Sequence, residues 1–111
     1  MTFADYQREA HKTAIYPPAR AMEYLCLGLA SEAGEVAGVW KKVLRDITDI
    51  TSSEVDESLA KLISEISDCL WYIAELCTAC GVSMEDVVQQ NIDELRSRAE
   101  RGVIGGSGDG R

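Results

Sequence analysis

The sequence is short of histidine, of basic residues and of long apolar runs, and each shortage removes a class of function. It has one histidine, His11, whereas a di-iron carboxylate bundle draws on a Glu-x-x-His motif in each of two helices. Lys and Arg number 11 against 19 Asp and Glu, for a formal net charge of -8. The broad positive footprint that a nucleic acid polymer requires is therefore missing. A phosphate-bearing substrate would need a metal ion or a local basic cluster. No stretch approaches the roughly 18 continuous apolar residues of a membrane span, and the opening MTFADYQREAHKTA has no apolar signal core. The expectation is a soluble, cytoplasmic protein with no membrane partner. Cys26, Cys69, Cys77 and Cys80 could pair or bind zinc, with Cys77 and Cys80 forming a CxxC. Yet only His11 could complete a mixed site, and the last three cysteines fall within an apolar helical pattern. Buried thiols in a reducing compartment are the expected state.

Helix formers, by contrast, are plentiful. Apolar residues make up 46% of the 111 positions, and Ala, Leu, Glu and Lys dominate over strand formers, which points to a packed all-α domain. A chain of this size supports one core and buries a modest fraction of its surface, so self-association is expected. Thr2 and Asp5 form a capping box ahead of Phe3, Tyr6, Ala10 and Ala14, which predicts a first helix to about Ala14. Tyr16, Pro17 and Pro18 break it. A second helix, from about Ala21 to Arg45, carries Leu25, Leu29, Val36, Val39 and Val43 on one side. Residues 46–53 read as a loop, with Ser53 and Asp56 capping a third helix. In that helix Leu59, Leu62, Ile66, Cys69, Ile73, Leu76 and Cys80 alternate steps of three and four, the seam of a helix in a bundle. Gly81 supplies a stop. Ser83 and Asp86 cap a fourth helix running through Val87, Val88, Ile92 and Leu95 to about Arg101. The domain is thus expected at 1–101, as a four-helix bundle, with residues 102–111 a flexible glycine-rich tail.

On the second helix Glu32 falls in the middle of the apolar face, where packing gives a carboxylate no reason to be, and Glu35 lies on its border. On the third, Glu65, Asp68 and Tyr72 form a stripe adjoining the seam. Four carboxylates turned toward one interior would be costly unless something neutralised them. A divalent cation does so, and an all-oxygen donor set suits Mg²⁺, which takes the rest of its shell from water and phosphate. The alternative is that these acids are surface groups paired with neighbours such as Lys42 and Lys61. Either motif alone would be weak; two on successive long helices favour a metal site.

The segments GLASEAGEVAGVWKKVLRD and EISDCLWYIAEL, with their ExxE and ExxD motifs, resemble the MazG-like all-α nucleoside triphosphate pyrophosphohydrolases. The likeness extends to the early AIYP segment and to NIDELRSR followed by RGVIGGSGDGR. The resemblance implies Glu32, Glu35, Glu65 and Asp68 as Mg²⁺ ligands and catalytic residues. It also implies substrate contacts from Tyr72 and Asn91, with Lys42 and Arg98 as phosphate partners. The implied reaction is attack of water on the α-phosphorus of a nucleoside triphosphate, with Mg²⁺ stabilising the departing pyrophosphate. Related enzymes act on dUTP or phosphoribosyl-ATP, and a non-enzymatic helical oligomerisation module is the reading from another class. A homodimer or homotetramer is expected. Trp40 and Trp71 fall away from the acidic stripes on separate wheels and are expected to pack between subunits. The glycine-rich tail is either disordered or folds over bound phosphates with Arg111.

Overall fold

A computed structural model describes residues 1–47 and 53–111 and places four α-helices along them: α1 (Phe3–His11), α2 (Ala21–Asp46), α3 (Ser53–Ala79) and α4 (Met84–Glu100). No strand occurs among the described residues. The expected loop at 46–53 falls largely on residues 48–52, outside the described residues. No helix among the described residues is long and apolar enough to cross a membrane.

The expected helix signals act at most boundaries. The Asp5 amide donates to Thr2 Oγ1, and the Thr2 amide to Asp5 Oδ2, each at 3.0 Å, so the capping box forms. α1 nevertheless stops at His11, short of Ala14. The Thr13 amide and hydroxyl both donate to Ala10 O, at 3.0 and 2.7 Å, and so take the carbonyl that Ala14 would need to continue the helix. At the far end of α3, Gly81 adopts φ +71, and the Val82 amide reaches back to Cys77 O at 3.0 Å. Gly102 repeats that stop after α4, with φ +70 and a Val103 amide bonded to Arg98 O at 2.9 Å.

Ser83 does not cap α4 with its side chain. The Met84 amide donates instead to Gln7 Oε1 at 2.7 Å, while Gln7 Nε2 donates to Val82 O at 2.9 Å and Thr78 Oγ1 at 3.1 Å. One glutamine from α1 thus satisfies both the end of α3 and the start of α4. This partner is 77 positions away, so no local pattern announces it.

α2 and α3 share the largest interface of the fold. Gly28 faces Tyr72, and Glu32 meets Asp68, so the residue numbers run in opposite senses and the two helices are antiparallel. α1 lies across the C-terminal half of α3, where Ala10, Ala74, Cys77 and Met84 are buried together under Tyr6, Trp71 and Val88. α4 rests on α1 and α3 and, among the described residues, makes no contact with α2.

Only part of the expected α3 seam is covered. Leu62, Cys69 and Leu76 are half-buried, whereas Leu59, Ile66, Ile73 and Cys80 are exposed. The residues that α1 and α2 actually cover on this helix include Val55, Ala74, Glu75 and Cys77. Helical periodicity identifies an apolar stripe, but packing on two sides decides which edge of it meets a neighbour. The four cysteines are free thiols. Cys77 is buried as expected, Cys69 half-buried, and Cys26 and Cys80 are exposed.

Candidate metal centre

Leu25 and Val43 are buried, with Leu29, Val36 and Val39 half-buried between them, and half-buried Glu32 interrupts that face. Antiparallel pairing with α3 sets it opposite Glu65 and Asp68. One carboxylate oxygen from each of Glu32, Glu65 and Asp68 lies within 4.8 Å of the others. Among the described residues, none of these acids, nor Glu35, forms an ion pair with a Lys, Arg or His. Lys61, one turn before Glu65, and Lys42 are exposed, so pairing with these neighbours does not explain the cluster. Glu35 stands beside the three and outside their closest grouping.

The electrostatics follow from this crowding. The Glu32 carboxyl is pushed above its usual value, first by loss of water around it. The charges of Asp68 and Glu65, a hydrogen bond with Glu65 and the charge of Glu35 add to the shift. Burial, together with the charges of Glu32, Asp68 and Glu65, also raises the Cys69 thiol and keeps it protonated. An uncompensated negative field therefore occupies the α2/α3 interface. Three close carboxylates, all oxygen donors and none paired with a cation among the described residues, are the donor chemistry that a hard divalent ion such as Mg²⁺ would take. The residues present fit such an ion.

The cluster opens into a cleft of about 360 Å³ lined by Thr13, Glu32, Asp68, Trp71 and Tyr72. Trp71 is therefore part of the site, contrary to the expectation that it falls away from the acidic stripes. Its indole N–H donates to Thr13 Oγ1 at 2.8 Å and to Ala10 O at 3.2 Å. Trp71 lies three positions after Asp68, and that spacing was the available signal; Thr13 gave none. Tyr72 packs edge to face with Trp71, ring centroids 5.0 Å apart. Its phenol is pushed up to about 12 by burial, then by the hydrogen bond and charge of Tyr24, then by Glu32 and Asp68. It stays a neutral hydrogen-bonding group beside the carboxylates.

Tyr72 can lie where it does because Gly28 has no side chain: a Cβ there would meet Tyr72 Cε1 at 2.1 Å. The remaining expected substrate contacts are elsewhere in the chain. Lys42 lies further along α2, near Asp46, whose carboxyl is lowered first by its hydrogen bond with Arg45 and then by the charges of Arg45 and Lys42. Asn91 and Arg98 line a hollow of about 880 Å³ along α4. There Arg98 bonds to Glu94 at 3.0 Å and approaches Asp109 of the tail at 3.7 Å. The tail turns back onto α4, where Arg101 Nη2 donates to Arg111 O at 2.9 Å. Although larger, this hollow is lined by Asp86, Asp93, Glu94 and Asp109 against one Arg98, a poor field for an anion without a metal.

Residues 20–103, which include all of α2, α3 and α4, match the family model of the MazG nucleotide pyrophosphohydrolase domain. The chain is 41% identical over 112 residues to the Gene 37 protein of Mycobacterium phage L5, covering 96% of each. It is 36% identical over 74 residues to the Bacillus subtilis (strain 168) protein YvdC, covering 65% of this chain and 70% of that one. No solved structure matches it.

Proposed function

The chain belongs to the family of MazG nucleotide pyrophosphohydrolase domains, and from that premise we propose that it is a Mg²⁺-dependent enzyme that hydrolyses nucleoside triphosphates to monophosphate and pyrophosphate. The observation that carries this reading is the meeting of Glu32, Glu65 and Asp68 across two helices without a basic partner. Family membership supplies the class of reaction, and the carboxylates supply the chemistry that a triphosphate needs in an acidic protein.

Glu32, Glu65 and Asp68, with Glu35 at their edge, would hold the ion. When bound, Mg²⁺ offsets the charge of the triphosphate and of the pyrophosphate that leaves. Glu32 and Glu35 are the groups available to orient the attacking water and accept its proton. The water oxygen bonds to the α-phosphorus as the bond to the bridging oxygen breaks, and pyrophosphate departs with the electron pair. Thr13, Trp71 and Tyr72 line the cleft beside the carboxylates, where the rest of the nucleotide would lie.

Self-association as a homodimer or homotetramer is part of the same reading. The radius of gyration is 17.3 Å, against about 13 Å for a compact domain of this length. Its accessible surface is 7819 Å², against about 6,000 Å² for a compact monomer of this mass. Exposed Leu27, Leu44, Ile63 and Ile66 account for part of the excess. A second copy would cover this surface, and it could bring Asn91 and Arg98 from its own α4 toward the cleft.

The test is release of pyrophosphate, as distinct from single phosphate, from a panel of standard and modified triphosphates, dUTP and phosphoribosyl-ATP in Mg²⁺. Glu35→Gln and Asp68→Asn serve as controls. Magnesium-dependent release that both variants lose is expected. Full activity in both variants, or no turnover on any substrate, rejects the enzyme in favour of a helical oligomerisation module.

A further inference from the structure

Glu75 is the one charged residue buried among the described residues, with 0% of its surface exposed, and the proposed chemistry makes no use of it. It lies on α3 one turn beyond Trp71, inside the layer formed with α1. Placing a carboxyl there has a cost that an apolar side chain would avoid. His11 Nδ1 lies 3.1 and 3.2 Å from its two oxygens. Both distances are those of a hydrogen bond between the imidazole nitrogen and the carboxyl group, which ties the end of α1 to α3. The Tyr16 phenol faces the same carboxyl group: burial raises it first, then the charge of Glu75 and a hydrogen bond to it.

His11 and Tyr16 bracket the segment that leaves α1. That segment has little apolar anchorage of its own, since Ile15 is 94% exposed. It nevertheless carries Thr13, which holds the Trp71 indole in the cleft. Tyr16 stacks on Tyr24 at 5.3 Å and meets Trp71 edge-on at 6.4 Å, while Tyr24 packs on Tyr72 at 6.3 Å. The four rings thus form a closed circuit, and two of them line the cleft.

We propose that Glu75 is a positioning residue: by gripping His11 and Tyr16 it fixes the exit of α1, and through that segment the Trp71 and Tyr72 wall beside the acidic cluster. The effect on nucleotide binding rests on the proposed activity; the effect on the wall does not.

Two readouts keep these apart. In a Trp40→Phe background the remaining indole is Trp71, and acrylamide quenching of its fluorescence reports on the wall. Glu75→Ala raises quenching several-fold, and Glu75→Gln, which keeps hydrogen-bonding groups for His11 and Tyr16, restores the parent value. In the enzyme, Glu75→Ala raises KM about tenfold, the loss of roughly one good contact, with kcat per folded molecule and Mn²⁺ binding unchanged. Where Glu75→Ala does not fold, Tyr16→Phe removes only the hydroxyl and is expected to raise quenching and KM in the same direction. Unchanged Trp71 quenching in these variants overturns the proposal, as does a fall in melting temperature with quenching and KM both at parental values. A parent protein without turnover rejects the activity, while quenching still decides the role of Glu75.

Discussion

Residues 71–78 of α3 pack beneath α1 and against α4, where Ala74, Glu75 and Cys77 are fully covered. Earlier in the same helix, Leu59, Ile63 and Ile66 face solvent, as does Leu44 of α2 at the same end. The sequence invests equally apolar residues in both regions, but only one has a layer on each side. One chain therefore completes a core at one end of the α2/α3 pair and leaves a two-helix layer at the other. Glu32, Glu65 and Asp68 lie between these regions, close enough to the covered end to gain Trp71 and Tyr72 as walls.

The sharpest way to break the comparison is Gly28→Ala at the covered end. Helix propensity alone would favour alanine by about 1 kcal/mol. A methyl group 2.1 Å from the Tyr72 ring reverses the sign, and we expect a net loss of about 1–3 kcal/mol, the same at every protein concentration. Chemical denaturation at several concentrations checks this. Gln7→Ala should follow, with a loss of about 1–2 kcal/mol, because it frees the Met84 amide and the Val82 carbonyl together. At the bare end, Ile63→Glu should change the stability of the single chain by less than about 0.5 kcal/mol. It should abolish self-association in sedimentation, a result that would be reversed if the apolar edge were merely solvated.

The smallest expected effect lies at the junction. Glu32 has a raised carboxyl, so without metal the folded chain keeps that proton to higher pH than the unfolded chain does. Stability of the metal-free protein should fall as pH rises from the unfolded value of about 4.5 through the raised folded value. Mg²⁺ favours the ionised carboxylate and should flatten or reverse that slope, which melting curves across pH with and without the ion would show.

The local parts of this arrangement were legible in the sequence. Thr2, Gly81 and Gly102 mark helix ends by chemistry confined to a few positions, and Glu32 stands out because one wheel suffices to place it on an apolar face. Trp71 was misplaced because the wheels were read separately, while its role depends on α1 arriving at Ala10 and Thr13. Gln7 and Glu75 act across 64 to 77 positions, and nothing in their immediate neighbourhoods anticipates the partner. Periodicity likewise showed that Ile66 and Ile73 are apolar without showing what covers them.

The most direct measurement of the central claim is hydrolysis of a triphosphate in heavy-oxygen water with Mg²⁺, followed by mass analysis of both products. Attack at the α-phosphorus by water held among Glu32, Glu35, Glu65 and Asp68 predicts the label in the monophosphate and unlabelled pyrophosphate. Label in the pyrophosphate, or release of single phosphate, would contradict it.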